Sequence, residues 1–150
     1  MFLCACPVPD DYVAVNNPPY IVEAELEPPN TGVVLLDCSQ FPDDTKTFTV
    51  YTAIEDPDVD DDKDTMFYAW YVSTSDTDEQ GQPVQRLVLR EEHSYELTCQ
   101  DGNFATDAPN ILTVYVLDRR PISTIDEAVK FAGPDGFAVS VSWVVQVIAQ

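Results

Sequence analysis

Residues 48–72 read FTVYTAIEDPDVDDDKDTMFYAWYV, and this stretch decides the fold class. Its two ends are apolar runs rich in aromatic and β-branched residues, which are typical of strands. The ten residues between them, 55–64, carry seven carboxylates and can only form a solvated turn. The segment therefore predicts strand, turn and strand. The second run, 66–72, is apolar on both faces, so we expect it to lie in the interior of its sheet.

Short strand patterns separated by turn residues continue on both sides of this segment. They cover residues 20–26, 33–38, 48–54, 66–72, 84–90, 95–99, 111–118 and 137–147. The last of them alternates large apolar with small or polar residues throughout, so a register slip would expose its whole apolar face. Residues 123–131 predict the single helix, because Thr124 and Glu127 form a capping box. The chain thus predicts an all-β, antiparallel β-sandwich of seven to eight strands with one short helix.

Cys38, Trp70 and Cys99 occur in the order of the immunoglobulin Cys–Trp–Cys signature, although Trp70 lies farther from the first cysteine than in antibody domains. We therefore expect residues 20–150 to form an immunoglobulin-like domain with Trp70 in its core. Residues 1–19 precede this domain, and residues 7–19 read as a proline-rich, extended linker.

The composition excludes several classes of partner. The formal net charge is −20 and only seven residues are basic, so the chain lacks the cationic surface that binds nucleic acid. The same shortage excludes binding to an anionic membrane through a basic patch. No run of eighteen apolar residues occurs, so we expect membrane attachment only through a lipid anchor. Strong net charge also favours a monomer.

The N-terminal residues Leu3-Cys4-Ala5-Cys6 resemble a bacterial lipobox, in which the final cysteine is acylated. This interpretation makes Cys6 the lipidation site. The alternative is a free tail with two incidental cysteines. If Cys6 is acylated, cleavage removes Cys4, and Cys38 and Cys99 are left to pair in an oxidising compartment.

Closing the loop between Cys38 and Cys99 would stabilise the fold by about 4 kcal/mol through loop-closure entropy. Two buried free thiols are the alternative, because a reduced cysteine packs like a small apolar group. A zinc site made of all four cysteines is the poorest interpretation, since their spacing lacks the usual knuckles.

The acidic turn is the one candidate metal site. Asp58, Asp60 and Asp62 have the spacing at which alternate carboxylates converge on Ca²⁺, and Asp56 and Asp64 extend the series. A lysine interrupts the run and no glycine makes the sharp turn. The favoured interpretation is therefore a solvated turn with no cofactor, and a weak Ca²⁺ site is the alternative.

Candidate residues for binding or catalysis are few. Tyr51 and Tyr71 are expected to be exposed, and if adjacent they could stack on a carbohydrate or another ligand. The single histidine, His93, lies in a polar turn without a nucleophile motif, so a hydrolase is a remote interpretation.

Several short motifs occur together in one order: Cys6, Asn17-Pro18-Pro19, Cys38, Glu55-Asp56-Pro57-Asp58, Trp70, Asp118-Arg119-Arg120-Pro121 and Trp143. In this order the chain resembles the uncharacterised secreted lipoproteins of myxobacteria and related bacteria. The resemblance implies a lipid-anchored protein of the cell envelope, in the outer membrane or periplasm, with an immunoglobulin-like domain. It implies no activity.

We therefore expect a non-catalytic interaction or structural module whose partner is an envelope protein or a glycan. The alternative is a Ca²⁺-dependent adhesion or carbohydrate-binding module.

Overall fold

A computed structural model describes residues 17–57, 66–77, 79–81, 83–118 and 137–149. These residues form nine β-strands and one turn of 3₁₀ helix, Glu23–Glu25. The strands are β1 Tyr20–Ile21, β2 Val33–Asp37, β3 Thr45–Thr49, β4 Ile54–Glu55, β5 Phe67–Thr77, β6 Pro83–Arg90, β7 Ser94–Thr98, β8 Pro109–Leu117 and β9 Ala138–Ile148. No helix in this part of the chain is long and apolar enough to cross a membrane.

Five strands make the main sheet, in the order β2-β9-β8-β5-β6, while β3 pairs with β7 and β1 with β4. Every strand pair is antiparallel except β2 and β9, which are parallel. The expectation of a purely antiparallel sandwich is therefore wrong at this edge. Six strands, β3 to β8, lie between β2 and β9 along the chain. The pair is therefore not restricted to the antiparallel arrangement that a tight hairpin turn imposes.

The β3–β7 pair packs against one face of the main sheet, and the core lies between these two layers. Phe48 of β3 contacts Trp143 of β9 edge-on, with ring centroids 5.5 Å apart. Tyr95 of β7 packs on Trp70 of β5 at 5.9 Å. All four side chains are buried, and Trp70 and Trp143 are completely inaccessible. The predicted all-β architecture with Trp70 in its core is confirmed.

Strands β5, β8 and β9 follow their sequence patterns closely. In β8 the inward residues Leu112, Val114 and Val116 are fully buried, and Trp143 and Val145 are their equivalents in β9. β5 lies between β8 and β6, as its two apolar faces predict. The strand is longer than expected, since it continues to Thr77 through residues that were expected to form a turn.

The expected strand over residues 20–26 is mostly a turn. Only Tyr20–Ile21 pairs, and the chain then winds through the 3₁₀ turn, where the Leu26 amide donates to the Glu23 carbonyl at 3.3 Å. Leu26 is still buried in the core. Tyr20 and Ala24, which alternate with the same period as Leu26, are exposed, so of these three the turn keeps only Leu26 on the inward face.

The expected strand over residues 48–54 is also interrupted. The carbonyl of Val50 accepts from the amides of Ala53 and Ile54, both at 3.0 Å, so the chain turns after β3 and enters β4. Val50, Ala53 and Ile54 are all fully buried, whereas Thr52 is exposed. The three apolar residues are therefore buried by a tight turn, and not by the continuous strand that was expected over residues 48–54. The helix expected over residues 123–131 lies outside the described residues.

Candidate functional site

Cys38 and Cys99 form a disulfide with their Cα atoms 5.6 Å apart. This confirms the expected pairing and excludes both free thiols and a four-cysteine zinc site. Cys38 follows β2 of the main sheet, and Cys99 follows β7 of the other layer. The bond therefore crosslinks the two layers at one end of the molecule.

A short loop, residues 39–44, starts directly at this disulfide and is called the Phe41 loop below. Its first turn is built on Asp37, whose Oδ1 accepts hydrogen bonds from Ser39 Oγ at 2.6 Å, Ser39 N at 3.1 Å and Gln40 N at 3.2 Å. The Ser39 hydroxyl bond, with help from the two backbone amides, lowers the pKa of Asp37 below its ordinary value, against the opposing effect of desolvation. A charged carboxylate thus holds the start of the loop.

Backbone hydrogen bonds complete the loop. The Phe41 amide donates to the Asp37 carbonyl at 3.0 Å, and the Asp44 amide donates to the Phe41 carbonyl at 3.0 Å. The sulfur of Cys99 contacts the same Phe41 carbonyl at 3.5 Å and the Asp44 carbonyl at 3.6 Å. The disulfide and these hydrogen bonds restrain the backbone of the loop.

The loop presents an aromatic ring to solvent. Phe41 is 60% exposed, and together with Gln40, Pro42, Asp43 and Asp44 it lines an open hollow of about 550 Å³. A smaller hollow of about 240 Å³ lies where the same loop meets Thr98, Cys99 and Gln100.

The two carboxylates in this hollow differ in their surroundings. Asp43 is exposed. Asp44 accepts from the Thr45 amide at 3.0 Å, and its other oxygen lies 3.4 Å from Lys46 Nζ. An exposed ring beside carboxylates suits contact with an apolar group flanked by a cation. The strand and turn patterns of the sequence do not identify this loop; the available signal was a large apolar residue in the turn Phe41-Pro42-Asp43-Asp44 beside a cysteine.

The structure places Tyr51 and Tyr71 in different surroundings. Tyr51 is half-buried in the turn after β3, with its ring 4.7 Å from the exposed imidazole of His93. Tyr71 is only 3% exposed, and its ring meets Tyr115 edge-on at 5.5 Å. The expectation that Tyr71 is exposed is therefore wrong. β5 has a neighbour on each side, so Leu87 of β6 and Tyr115 of β8 both pack beside Tyr71.

Most of the acidic turn lies outside the described residues, including Asp58, Asp60, Asp62 and Asp64, and so does Cys6. Glu55 and Asp56 mark its entry, where the Tyr20 hydroxyl donates to the Glu55 carboxylate. In the part of the chain that the structure describes, no three His, Cys, Asp or Glu side chains converge as a metal site would require. The Ca²⁺ interpretation stays a prediction.

Comparisons of this chain with family models, with curated proteins and with solved structures find no match.

Proposed function

We propose that this protein is a non-catalytic module of the bacterial cell envelope that binds a partner through the Phe41 loop. The observation that carries the proposal is an exposed aromatic ring on a loop held at its base by a disulfide. A rigid aromatic side chain loses little entropy on binding, which is why such residues dominate binding energy in protein contacts. The partner is an envelope protein or a glycan.

We propose that the protein is located in the cell envelope, in the outer membrane or periplasm, and is attached there by a lipid anchor on Cys6. A disulfide between Cys38 and Cys99 is stable in an oxidising compartment, which supports an extracytoplasmic address. Metabolic labelling with an alkyne fatty acid, with the protein produced from its own gene and upstream codons, tests the anchor. We expect label in the natural protein and none in Cys6→Ser, and absence of label from both would contradict it.

The proposed fold is an immunoglobulin-like sandwich. The order β9-β8-β5-β6 matches strands G-F-C-C′ of variable-type immunoglobulin domains, and the β3–β7 pair matches strands B and E. Trp70 then occupies strand C, as in those domains. The disulfide departs from their pattern, because it joins the ends of β2 and β7 instead of strands B and F.

A photo-crosslinking amino acid at position 41 tests the binding proposal in intact cells of the source bacterium. We expect one discrete adduct from position 41 and none from position 47, which is an exposed strand position outside the Phe41 loop. Phe41→Ala should compete poorly with the natural protein for the same partner. Equal adducts from both positions, or none from either, would refute binding through this loop.

The alternative function, a Ca²⁺-dependent adhesion or carbohydrate-binding module, depends on the acidic turn. Thermal melts with and without about 10 mM Ca²⁺, at least about tenfold above the dissociation constants of extracellular Ca²⁺ modules, separate the two functions. We expect no shift in melting temperature. A shift that Asp58→Asn with Asp60→Asn abolishes would favour the Ca²⁺-dependent module instead.

A further inference from the structure

The outer face of the main sheet, opposite the β3–β7 layer, carries an apolar row that crosses three strands. Val33 of β2 pairs with Val144 of β9, and Val144 pairs with Ile111 of β8. Leu35 lies two residues farther along β2 on the same face. All four side chains are between 40% and 60% exposed. Paired positions place Cβ atoms about 5 Å apart, so these side chains form one continuous patch, called the outer row below.

The outer row is distinct from the core between the layers. Residues that alternate with it, Val34, Leu112 and Trp143, point inward and belong to that core. The sheet is therefore apolar on both faces at this point, with one face covered by the β3–β7 pair and the other open to solvent. Contiguous exposed apolar side chains make this face a candidate for a protein–protein contact, whereas isolated ones need no explanation.

Charge is absent from the outward positions of β8 and β9 in the same region. Thr113 and Ser142, next along the sheet from the outer row, satisfy each other through a hydroxyl hydrogen bond of 2.8 Å. The outward residues of these two strands are Pro109, Ile111, Thr113, Tyr115, Leu117, Ala138, Ser140, Ser142, Val144, Gln146 and Ile148. Thr113 and Leu117 among them are buried, and Asp37 at the end of β2 is a carboxylate on the same face. The uncharged exposed surface is therefore confined to the outer row and its neighbours Pro109, Ala138, Ser140 and Ser142, in a chain that holds 27 acidic and seven basic residues among 150.

We propose that the outer row is the contact between two copies of this chain, related by a two-fold axis near Val144. A two-fold contact sets a patch against itself, so any charge in it would meet a like charge. An uncharged apolar patch is complementary to its own copy, while the rest of a surface with net charge −20 repels it. A basic partner would instead be met by carboxylates, and the outward positions of β8 and β9 have none.

This proposal goes beyond the function proposed above and does not depend on the Phe41 loop. It also revises the monomer expected from net charge, because that expectation ignores how the charge is distributed. The outer row is small beside the roughly 800 Å² that each partner buries in a stable interface. The dimer is therefore weak and depends on protein concentration.

Sedimentation velocity over a concentration series tests the dimer, with Cys4 and Cys6 replaced by serine so that they cannot crosslink copies. We expect a dimer that tightens several-fold when NaCl is raised from about 20 mM to about 300 mM, because salt screens the repulsion between the acidic copies. Val144→Glu should raise the dissociation constant at least about tenfold, since two carboxylates would meet across the axis. Gln100→Glu is the matched control, which adds the same charge in the turn after β7, away from the outer row, and should leave the dissociation constant of the dimer unchanged.

Crosslinking gives a second readout that does not depend on the charge of the variant. In the same background, Val144→Cys should form a disulfide between copies under mild oxidation, and Thr47→Cys, at an exposed position of β3 on the other layer, should not. A monomer at both salt concentrations up to about 1 mM protein would overturn the proposal. A dimer that Val144→Glu leaves unweakened, or that Gln100→Glu weakens equally, would overturn it as well.

Discussion

At the scale of single residues, two tryptophans organise the core. Trp70 and Trp143 lie side by side with ring centroids 5.9 Å apart and planes 19° from parallel. Each indole N–H donates to a loop carbonyl, from Trp70 to Glu92 at 2.8 Å and from Trp143 to Pro28 at 2.6 Å. Burial of both rings therefore leaves neither N–H unsatisfied, which would otherwise cost about 1–3 kcal/mol each.

Tyr95 gives a prediction at the same scale, because burial and its hydrogen bond to the Asp101 carboxylate raise its pKa above the ordinary value of 10. Below pH 10 the proton is held in both the folded and the unfolded chain. Above pH 10 the unfolded tyrosine loses its proton while the folded one keeps it. The free energy of unfolding should then fall with rising pH, by about 1.4 kcal/mol per unit from this residue.

Urea unfolding at intervals from about pH 9 to about pH 11.5 measures this slope. Tyr95→Phe should lower stability at neutral pH, since Asp101 loses its donor, but should flatten the alkaline decline relative to the natural protein. The pKa of Tyr20 is also raised, by its hydrogen bond to Glu55. Because Tyr20 is present in both proteins, the difference between their two slopes reports on Tyr95 alone. Parallel curves for the two proteins would contradict the assignment.

At the scale of elements, the connection between β5 and β6 depends on backbone conformation. Gly81 has a φ of +77°, and nothing lies within 4 Å of the position that a Cβ would take. Gly32, before β2, has equal space, and its φ lies outside the left-handed range. The two glycines therefore differ in backbone conformation, whereas the space available for a Cβ is the same at both.

Gly81→Ala should reduce the free energy of unfolding by about 1 kcal/mol, because an L-residue at this φ is strained. Gly32→Ala is the matched control and should be neutral or stabilising by up to about 1 kcal/mol, since it restricts only the unfolded chain. Both values come from urea denaturation. Equal losses for the two variants would show that backbone conformation at Gly81 is not the cause.

At the scale of the whole molecule, the disulfide is the covalent crosslink that the described residues provide between side chains of the two layers. Its loop spans 61 residues of sequence, from the main sheet to the end of β7. Replacing Cys38 and Cys99 together by alanine should lower the free energy of unfolding by about 4 kcal/mol, through the entropy of the unfolded chain. Urea curves for the oxidised protein and the double variant provide the measurement, and Cys4→Ser with Cys6→Ser is the control. A loss under about 1 kcal/mol would contradict it.

Much of the architecture could be predicted from the sequence, because side-chain alternation is a local property. The inward residues of β8 and β9 could be identified from a period of two, and Trp70 from its place in an apolar run. The pairing of Cys38 with Cys99 was one of three interpretations, beside two free thiols and a four-cysteine zinc site, and only the geometry of the strand ends decided it. The turn at residues 50–54 was missed, since its buried apolar residues also fit a strand pattern.

Composition and alternation along the chain by themselves determined the all-β class, the inward faces of the long strands and the strongly acidic surface. Only the tertiary structure decided that β2 lies parallel to β9, that Tyr71 is buried and that the outer row is exposed. The physical reason is that alternation assigns a residue to one of two faces, while its neighbours across the sheet determine whether that face is covered. Tyr71 and Ile111 lie on the same outer face, yet one packs between Leu87 and Tyr115 and the other is open to solvent.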